Sequence, residues 1–413
     1  MPPRNSIDHT TMREMNISLV LDTLRQRAPI SRAALAAQTG LNKTSVSNIV
    51  KDLIAGRFIW ETGIDDTLSE IGRPAVNLQL NPEAGFLISA EIGVGFISVV
   101  VANFAFEVTM RRYESTLHLS DRDAVLDYFV DLLQDVYTAV QRYQRPIFGL
   151  VVGIPGLVDM QTGTLLFAPN LNWRDVPLRE RLQPHFDVPI LIANEANMAA
   201  LGEYYLGPAR HSRLLLFISS GVGLGGGLVV DGHLLTGVNG LAGELGHMTV
   251  DPTGLACRCG NHGCWETQAT LTALYRRVRE AIDAGRKTSL SRFKDQLTLP
   301  VLREAAHSGD AVALEAFQET GRWLGIGMAN LVNALSPEHL VFGGQLSVAV
   351  DLLRPTMAAE LEHRALRWIV EQIKFTTATY TADATLMGGV AMIHNHVVHH
   401  PMTWRAPAEF WIS

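Results

Sequence analysis

The sequence predicts an α/β protein: a small helical head, then a duplicated, two-lobed body enclosing a cleft. Three observations carry that expectation. Residues 12–55 show helical periodicity interrupted by turn signals. A strand–glycine turn–strand design occurs in FLISAEIGVGFISVVVANF and returns in RLLLFISSGVGLGGGLVVDG, residues 213–232. Beyond the second hairpin lies LAGELGHMTVDPTGLACRCGNHGCWET, residues 241–267, which holds every cysteine of the chain.

A chain of 413 residues has room for two or three domains. Hydrophobic residues make up 47% and charged residues 18%, enough to bury large cores. The net charge of −7 argues against a protein that coats nucleic acid over its whole surface. Charge is uneven, however. Residues 1–60 carry eight Arg or Lys against four Asp or Glu, a local +4, which leaves −11 for the remainder. A mildly basic head on an acidic body suits a small nucleic-acid contact carried by a larger sensing module. The start, MPPRNSIDHTT, lacks the apolar core of a signal peptide, and three clustered cysteines fit a reducing cytoplasm.

In the head, Ile17, Val20, Leu21 and Leu24 mark one helix face, and Pro29 ends that helix. Ser31 is placed to cap the next helix, SRAALAAQT. After Thr39-Gly40-Leu41, Asn42 is placed to cap a third that runs to about Ala55. Val46, Ile49, Val50, Leu53 and Ile54 form its apolar stripe, and the opposite face shows Lys43, Thr44, Ser45, Ser47, Asn48 and Lys51. Hydroxyls, an amide and two lysines can approach phosphates and base edges. A helix, a glycine turn and a second helix form the arrangement that lays a helix in a major groove. Residues 56–80 read as strand, polar turn, strand, the hairpin of a winged helix-turn-helix. Arg73, between Gly72 and Pro74 in extended chain, is placed to enter a narrow minor groove. The competing reading is a three-helix packing unit with a solvated polar face.

Asn81-Pro82-Glu83 marks a short linker into the body. Residues 86–106 are long enough for a membrane span, but Glu91 and the Gly93–Gly95 break favour two buried strands in a hairpin. A helical segment, residues 121–143, leads to the strand IFGLVVGIPGLVD, and LIANEANMAALGEYYLG reads as a buried strand running into a helix. The Asn194-Glu195 pair sits at that strand's carboxyl end, where such folds face their ligands. Residues 267–335 are mostly helical by period. HLVFGGQLS and ATLMGGVAMI each read as a strand or apolar run ending in Gly-Gly before a helix, and the closing HHPMTWRAPAEFWIS shows no period.

Cys257, Cys259 and Cys264 form a C-x-C-x4-C cluster with His247 upstream. Three thiols and one imidazole are the ligand set of a closed tetrahedral zinc site, predicting one structural Zn2+ per chain. His262 is a competing fourth ligand; His247 is preferred. Glu244 and Glu266 bracket the cluster, so a metal that fixes the loop also fixes both acids.

The run Glu244-x-Gly246-His247 followed by C-x-C-G-x-x-G-C-x-E resembles the signature of the ROK family, which contains sugar kinases and sugar-responsive repressors. The resemblance extends over essentially the whole chain and implies an actin-like, hexokinase-like (ribonuclease H-like) body behind a winged helix that the family's kinases lack. It implies domains at 1–80, at 81–197 with 382–413, and at 198–381, the last holding the metal loop and a dimerisation surface. It implies sugar contacts from Asn194, Glu195, Glu244, His247 and Glu266, with Asn170 and Gly156 as further candidates.

ROK kinases hold ATP with an Asp-x-Gly-Gly-Thr loop, where this chain has Glu91-Ile92-Gly93-Val94-Gly95-Phe96. Glu195 stands where those kinases carry the catalytic Asp, and Ser219-Ser220-Gly221 stands for Gly-Thr-Gly. The expectation is a non-enzymatic switch: a homodimer, with a tetramer left open, whose hold on a palindromic operator changes when a monosaccharide occupies the cleft. Two alternatives are an active ATP-dependent sugar kinase with an appended head, and a regulator driven by a protein partner.

Overall fold

The computed structural model describes residues 9–64, 76–210, 212–237, 240–400 and 404. The head begins with the helix His9–Arg27, which buries Ile17, Val20, Leu21 and Leu24 as their spacing predicts. Ser31 Oγ accepts from the Ala34 amide and opens the helix Arg32–Thr39, which ends at Gly40 with φ +70°. Asn42 Oδ1 accepts from the Ser45 amide at 2.8 Å and opens Lys43–Ala55, whose Val46, Ile49, Val50 and Leu53 are buried. Strands Ile59–Ile64 and Val76–Leu80 pair antiparallel, and the two-residue strand Ile30–Ser31 adds to the second of them. That third strand is too short to show a period. Arg73 and its dock lie outside the described residues.

The body repeats one design. In the first sheet the strand order is Ile190–Asn194, Ile147–Ile154, Phe86–Gly93, Phe96–Asn103, Val108–Ser115. In the second it is Lys374–Thr377, His339–Gly343, Leu214–Ser220, Leu224–Val230, His233–Leu234. Each sheet has a central strand joined antiparallel to the next strand in the chain and parallel to a later one. Residues 86–106 are therefore the expected hairpin, and among the described residues no helix is long and apolar enough to cross a membrane.

Two expectations need correction. IFGLVVGIPGLVD is not one strand: Ile147–Ile154 ends at Pro155-Gly156, and Leu157–Asp159 joins a separate three-stranded sheet. Gly156 makes the break with φ +114°, and a side chain there would collide with the Phe167 carbonyl. ATLMGGVAMI is not a strand before a helix, because its Gly-Gly lies inside the helix Ala384–His399. A Cβ on Gly388 would strike the Met198 carbonyl, and one on Gly389 would strike Ser89 Oγ. Gly388 lets that helix touch the backbone of Glu195–Leu206, which in turn leans on the second sheet, and Gly389 lets it sit on the strand Phe86–Gly93.

The head is tied down. Asn81 Nδ2 donates to the Arg57 carbonyl at 2.8 Å, so the short linker is a braced joint. Phe58 packs on Phe104 and Phe148 of the first lobe, with ring centroids 5.6 and 6.0 Å away. Trp404, in a tail read as aperiodic, packs edge-on against Phe148 of its own chain. Apolar residues of the head and the first sheet form one continuous cluster.

Candidate functional site

The cysteine loop is shaped by its glycines. Gly260 has φ +99° and Gly263 φ +67°, and a Cβ on Gly263 would collide with the Asp251 carbonyl. The Cys257 amide donates to the Asn261 carbonyl at 2.7 Å, and the Trp265 amide to that of Met248 at 2.8 Å. Trp265 is fully buried and its Nε1 donates to the Trp323 carbonyl at 2.7 Å, anchoring Cys264 and Glu266 to the helix Ala311–Leu335.

This scaffold brings His247, Cys257, Cys259 and Cys264 together, with one ligand atom of each within 4.8 Å of the others. Cys259 Sγ and Cys264 Sγ are 3.7 Å apart, far beyond a disulfide, and Cys257 Sγ lies 3.8 Å from His247 Nδ1. The edge of a tetrahedron with metal–sulfur bonds of ~2.3 Å is about 3.8 Å. Both separations match that edge, and the donor chemistry of the four suits a tetrahedral ion. Burial pushes the Cys257 and Cys264 thiols up, a penalty that a bound dication reverses by holding them as thiolates. His262 is exposed and outside the group.

His247 connects this centre to two carboxylates. Its Nδ1 faces the thiols, and its Nε2 lies 3.9 Å from Glu244 Oε2. Glu266 Oε1 lies 3.7 Å from Nδ1 and accepts from the Cys257 thiol at 3.0 Å. A Cβ on Gly223 would meet Asn170 Nδ2 at 2.6 Å and Glu266 Oε2 at 3.4 Å, so this glycine of the second hairpin leaves the space between those two groups open. Gly225 does the same before Glu195, whose Oε1 would lie 3.6 Å from an added Cβ.

Asn194 caps the helix Glu195–Leu206: its Oδ1 accepts from the Ala196 and Asn197 amides, and its Nδ2 donates to the Gly156 carbonyl at 3.0 Å. One amide hydrogen remains for a ligand. Glu195 opens that helix, and its Oε2 is buried without a hydrogen-bond partner. Burial, then the neighbouring charges of Glu91 and Glu244, push its carboxyl up to about 8. Burial likewise raises Glu91 to about 7, and it raises Glu244. The seven residues expected to line a sugar site thus fall in one region.

The Glu91–Glu195 coupling was not among the expected contacts. It follows from sheet register, which sets Glu91 beside Gly153 and Gly153 beside Ala193. Phe96 lies over the first hairpin, where a Cβ on Gly93 would collide with its ring, and the ring stacks on Tyr113 at 5.5 Å.

On the head, Lys43, Thr44, Ser47, Asn48 and Lys51 are exposed and Ser45 is half-buried. The nearby acid Asp52 is paired with Arg13 at 2.6 Å.

The ROK family profile matches residues 87–396. A xylose repressor of Caldicellulosiruptor bescii is 32% identical over 396 residues, covering 95% of this chain and 99% of its own. A glucokinase of Halalkalibacterium halodurans is 34% identical over 307 residues, covering 73% of this chain and 93% of its own. The crystal structure of a ROK family transcriptional regulator, a homologue of Escherichia coli Mlc, superposes with a TM-score of 0.80 at 28% identity, covering 94% of this chain and 97% of that one. The chain belongs to the ROK family.

Proposed function

We propose that this protein is a sugar-responsive, DNA-binding transcriptional repressor in which a monosaccharide bound between the lobes changes operator affinity. One observation carries the reading: a head whose helix Lys43–Ala55 exposes a polar face is braced onto a body that gathers four carboxylates beside a metal-ligand cluster. The relative named as a xylose repressor runs alongside 95% of the chain, the glucokinase alongside 73%.

The metal we assign is one structural zinc held by His247 Nδ1, Cys257, Cys259 and Cys264. It supplies rigidity: a closed site fixes the imidazole, and Nε2 is left to donate into the cleft. Glu244 and Glu266 then accept from sugar hydroxyls, with Asn170, Asn194, His247 and the Gly156 turn completing the wall. Glu195, its carboxyl pushed up to about 8, keeps its proton for most of the time near neutral pH and can donate as well as accept.

The ATP-handling positions favour a switch over a kinase. The Phe96 ring covers Gly93 in the turn that corresponds to the family's phosphate loop, and the Ser220 hydroxyl donates to the Ala269 carbonyl at 2.7 Å. Glu195 in place of Asp moves a base by one methylene, and a shift near 1 Å can cost about a hundredfold in rate.

The head, residues 1–80, reads as a winged helix that places Lys43, Thr44, Ser45, Ser47, Asn48 and Lys51 in a major groove, with Arg73 for the minor groove. The lobes are assigned to 81–197 with 382–413 and to 198–381. A cytoplasmic homodimer would meet half-sites about 34 Å apart, or a multiple of that. Driving nearly complete release requires a sugar preference for the released form of roughly 5 kcal/mol.

The test is fluorescence anisotropy with a duplex that the protein itself selects from a random-sequence pool, titrated with D-xylose, D-glucose and N-acetyl-D-glucosamine. One sugar should change duplex affinity by about tenfold or more; unchanged affinity with all three contradicts the reading. Cys257→Ser should lower zinc, measured by elemental mass spectrometry, from about one ion per chain to a small fraction and weaken sugar binding about tenfold or more. Full occupancy in the variant would refute the ligand set.

The raised carboxyls also predict a pH dependence. At pH values below the ordinary 4.5 both folded and unfolded chains are protonated, so no penalty arises. As pH climbs to about 8, the unfolded chain loses the Glu195 proton while the folded chain retains it, and stability falls. Glu195→Gln should gain ~2 °C or more in Tm over the parent at pH 8 relative to pH 5. Equal gaps at both pH values would contradict the buried, proton-holding carboxyl.

A further inference from the structure

The head is attached to both lobes. Phe58 packs on Phe104 and Phe148, which lie in and beside the first sheet. The other attachment begins at Arg25, in the last turn of His9–Arg27. Its side chain is only 8% exposed, and its Nη2 donates to Asp22 at 2.9 Å. Its Nη1 donates to the backbone carbonyl of Tyr205 at 3.1 Å, and the guanidinium carbon lies 5.3 Å from the Tyr205 ring centroid.

Tyr205 stands in the last turn of Glu195–Leu206. Carbonyls at a helix end have no intrahelical donor, and the dipole there favours a cation. A side chain of the head therefore completes the carboxyl end of a helix whose amino end presents Glu195 to the cleft. Tyr205 Oη donates in turn to the Gly232 carbonyl at 3.1 Å, in the turn between Leu224–Val230 and His233–Leu234 of the second sheet.

We infer that Arg25 and Tyr205 form the link by which cleft occupancy reaches the DNA-binding head; the inference rests on the sugar-responsive reading above. A head fixed to the first lobe alone would ride with it and be blind to the other. A head also joined through Tyr205 to Gly232 is held at two points on two lobes. Any change in their relative placement must then turn it. The connecting helix, 12 residues long, spans about 18 Å and is stiff enough to carry a tilt from one end to the other. Arg25 and Tyr205 are positioning residues: neither is placed in the sugar or DNA contact set.

The test uses the full-length protein, a duplex that it selects from a random-sequence pool, and whichever of D-xylose, D-glucose or N-acetyl-D-glucosamine binds it. The quantity read is the ratio of duplex Kd with and without sugar. Arg25→Gln should bring that ratio at least about tenfold closer to one while sugar Kd, by calorimetry, stays within about threefold of the parent. Tyr205→Phe keeps the carbonyl and the ring but deletes the bond to Gly232; it should reduce the ratio in the same direction and serves if Arg25→Gln does not fold. A purely structural helix cap would lower Tm and leave the ratio intact, so a parental ratio in either folded variant overturns the link. A parent that binds no sugar, binds no duplex, or shows a ratio of one overturns the underlying reading instead.

Discussion

Two helices that touch backbone to backbone set the arrangement of everything around them. Gly202 of Glu195–Leu206 lies against Gly388 of Ala384–His399, and any side chain at Gly388 would strike the Met198 carbonyl. One helix of the pair packs on the first sheet and the other also leans on the second, so the pair joins the two lobes. Interiors are close-packed and transmit displacement instead of absorbing it. The helix Glu195–Leu206 carries Glu195 at one end and the seat of the head at the other.

The cleft is built on the same economy of space. Glycines at 223 and 225 keep the second hairpin bare where Asn170, Glu195 and Glu266 converge, and the His/Cys cluster orients the opposite wall. Burying several carboxylates together is costly, and the cost shows in the raised carboxyls of Glu91, Glu195 and Glu244. A ligand rich in hydroxyl donors relieves part of that cost, which gives the site a reason to prefer occupancy by a polyol. Phe96 over Gly93 closes the neighbouring turn to a close backbone approach.

Much of this was legible in the residues because local rules and tertiary structure agree. Ser31 and Asn42 cap as their positions predict, and both glycine hairpins form. Confining all three cysteines near one histidine identified the metal-ligand group. What escaped was set by packing across the chain. Gly388-Gly389 looks like a strand end, and only Met198 and Ser89 explain why a helix needs it. Val108–Ser115 was missed because most of it is exposed and shows no alternation to read. The Glu91–Glu195 coupling depends on strand register, and the Arg25–Tyr205 contact joins residues 180 positions apart.

The proposed switch responds to a sugar without transforming it. The most direct measurement incubates the protein with ATP-magnesium and the sugar that alters duplex affinity, and follows phosphosugar by mass spectrometry. The sugar should be recovered unmodified, with ADP forming no faster than in a protein-free control. Phosphosugar accumulating at roughly one or more turnovers per second, within the ordinary range of enzymes, would contradict it.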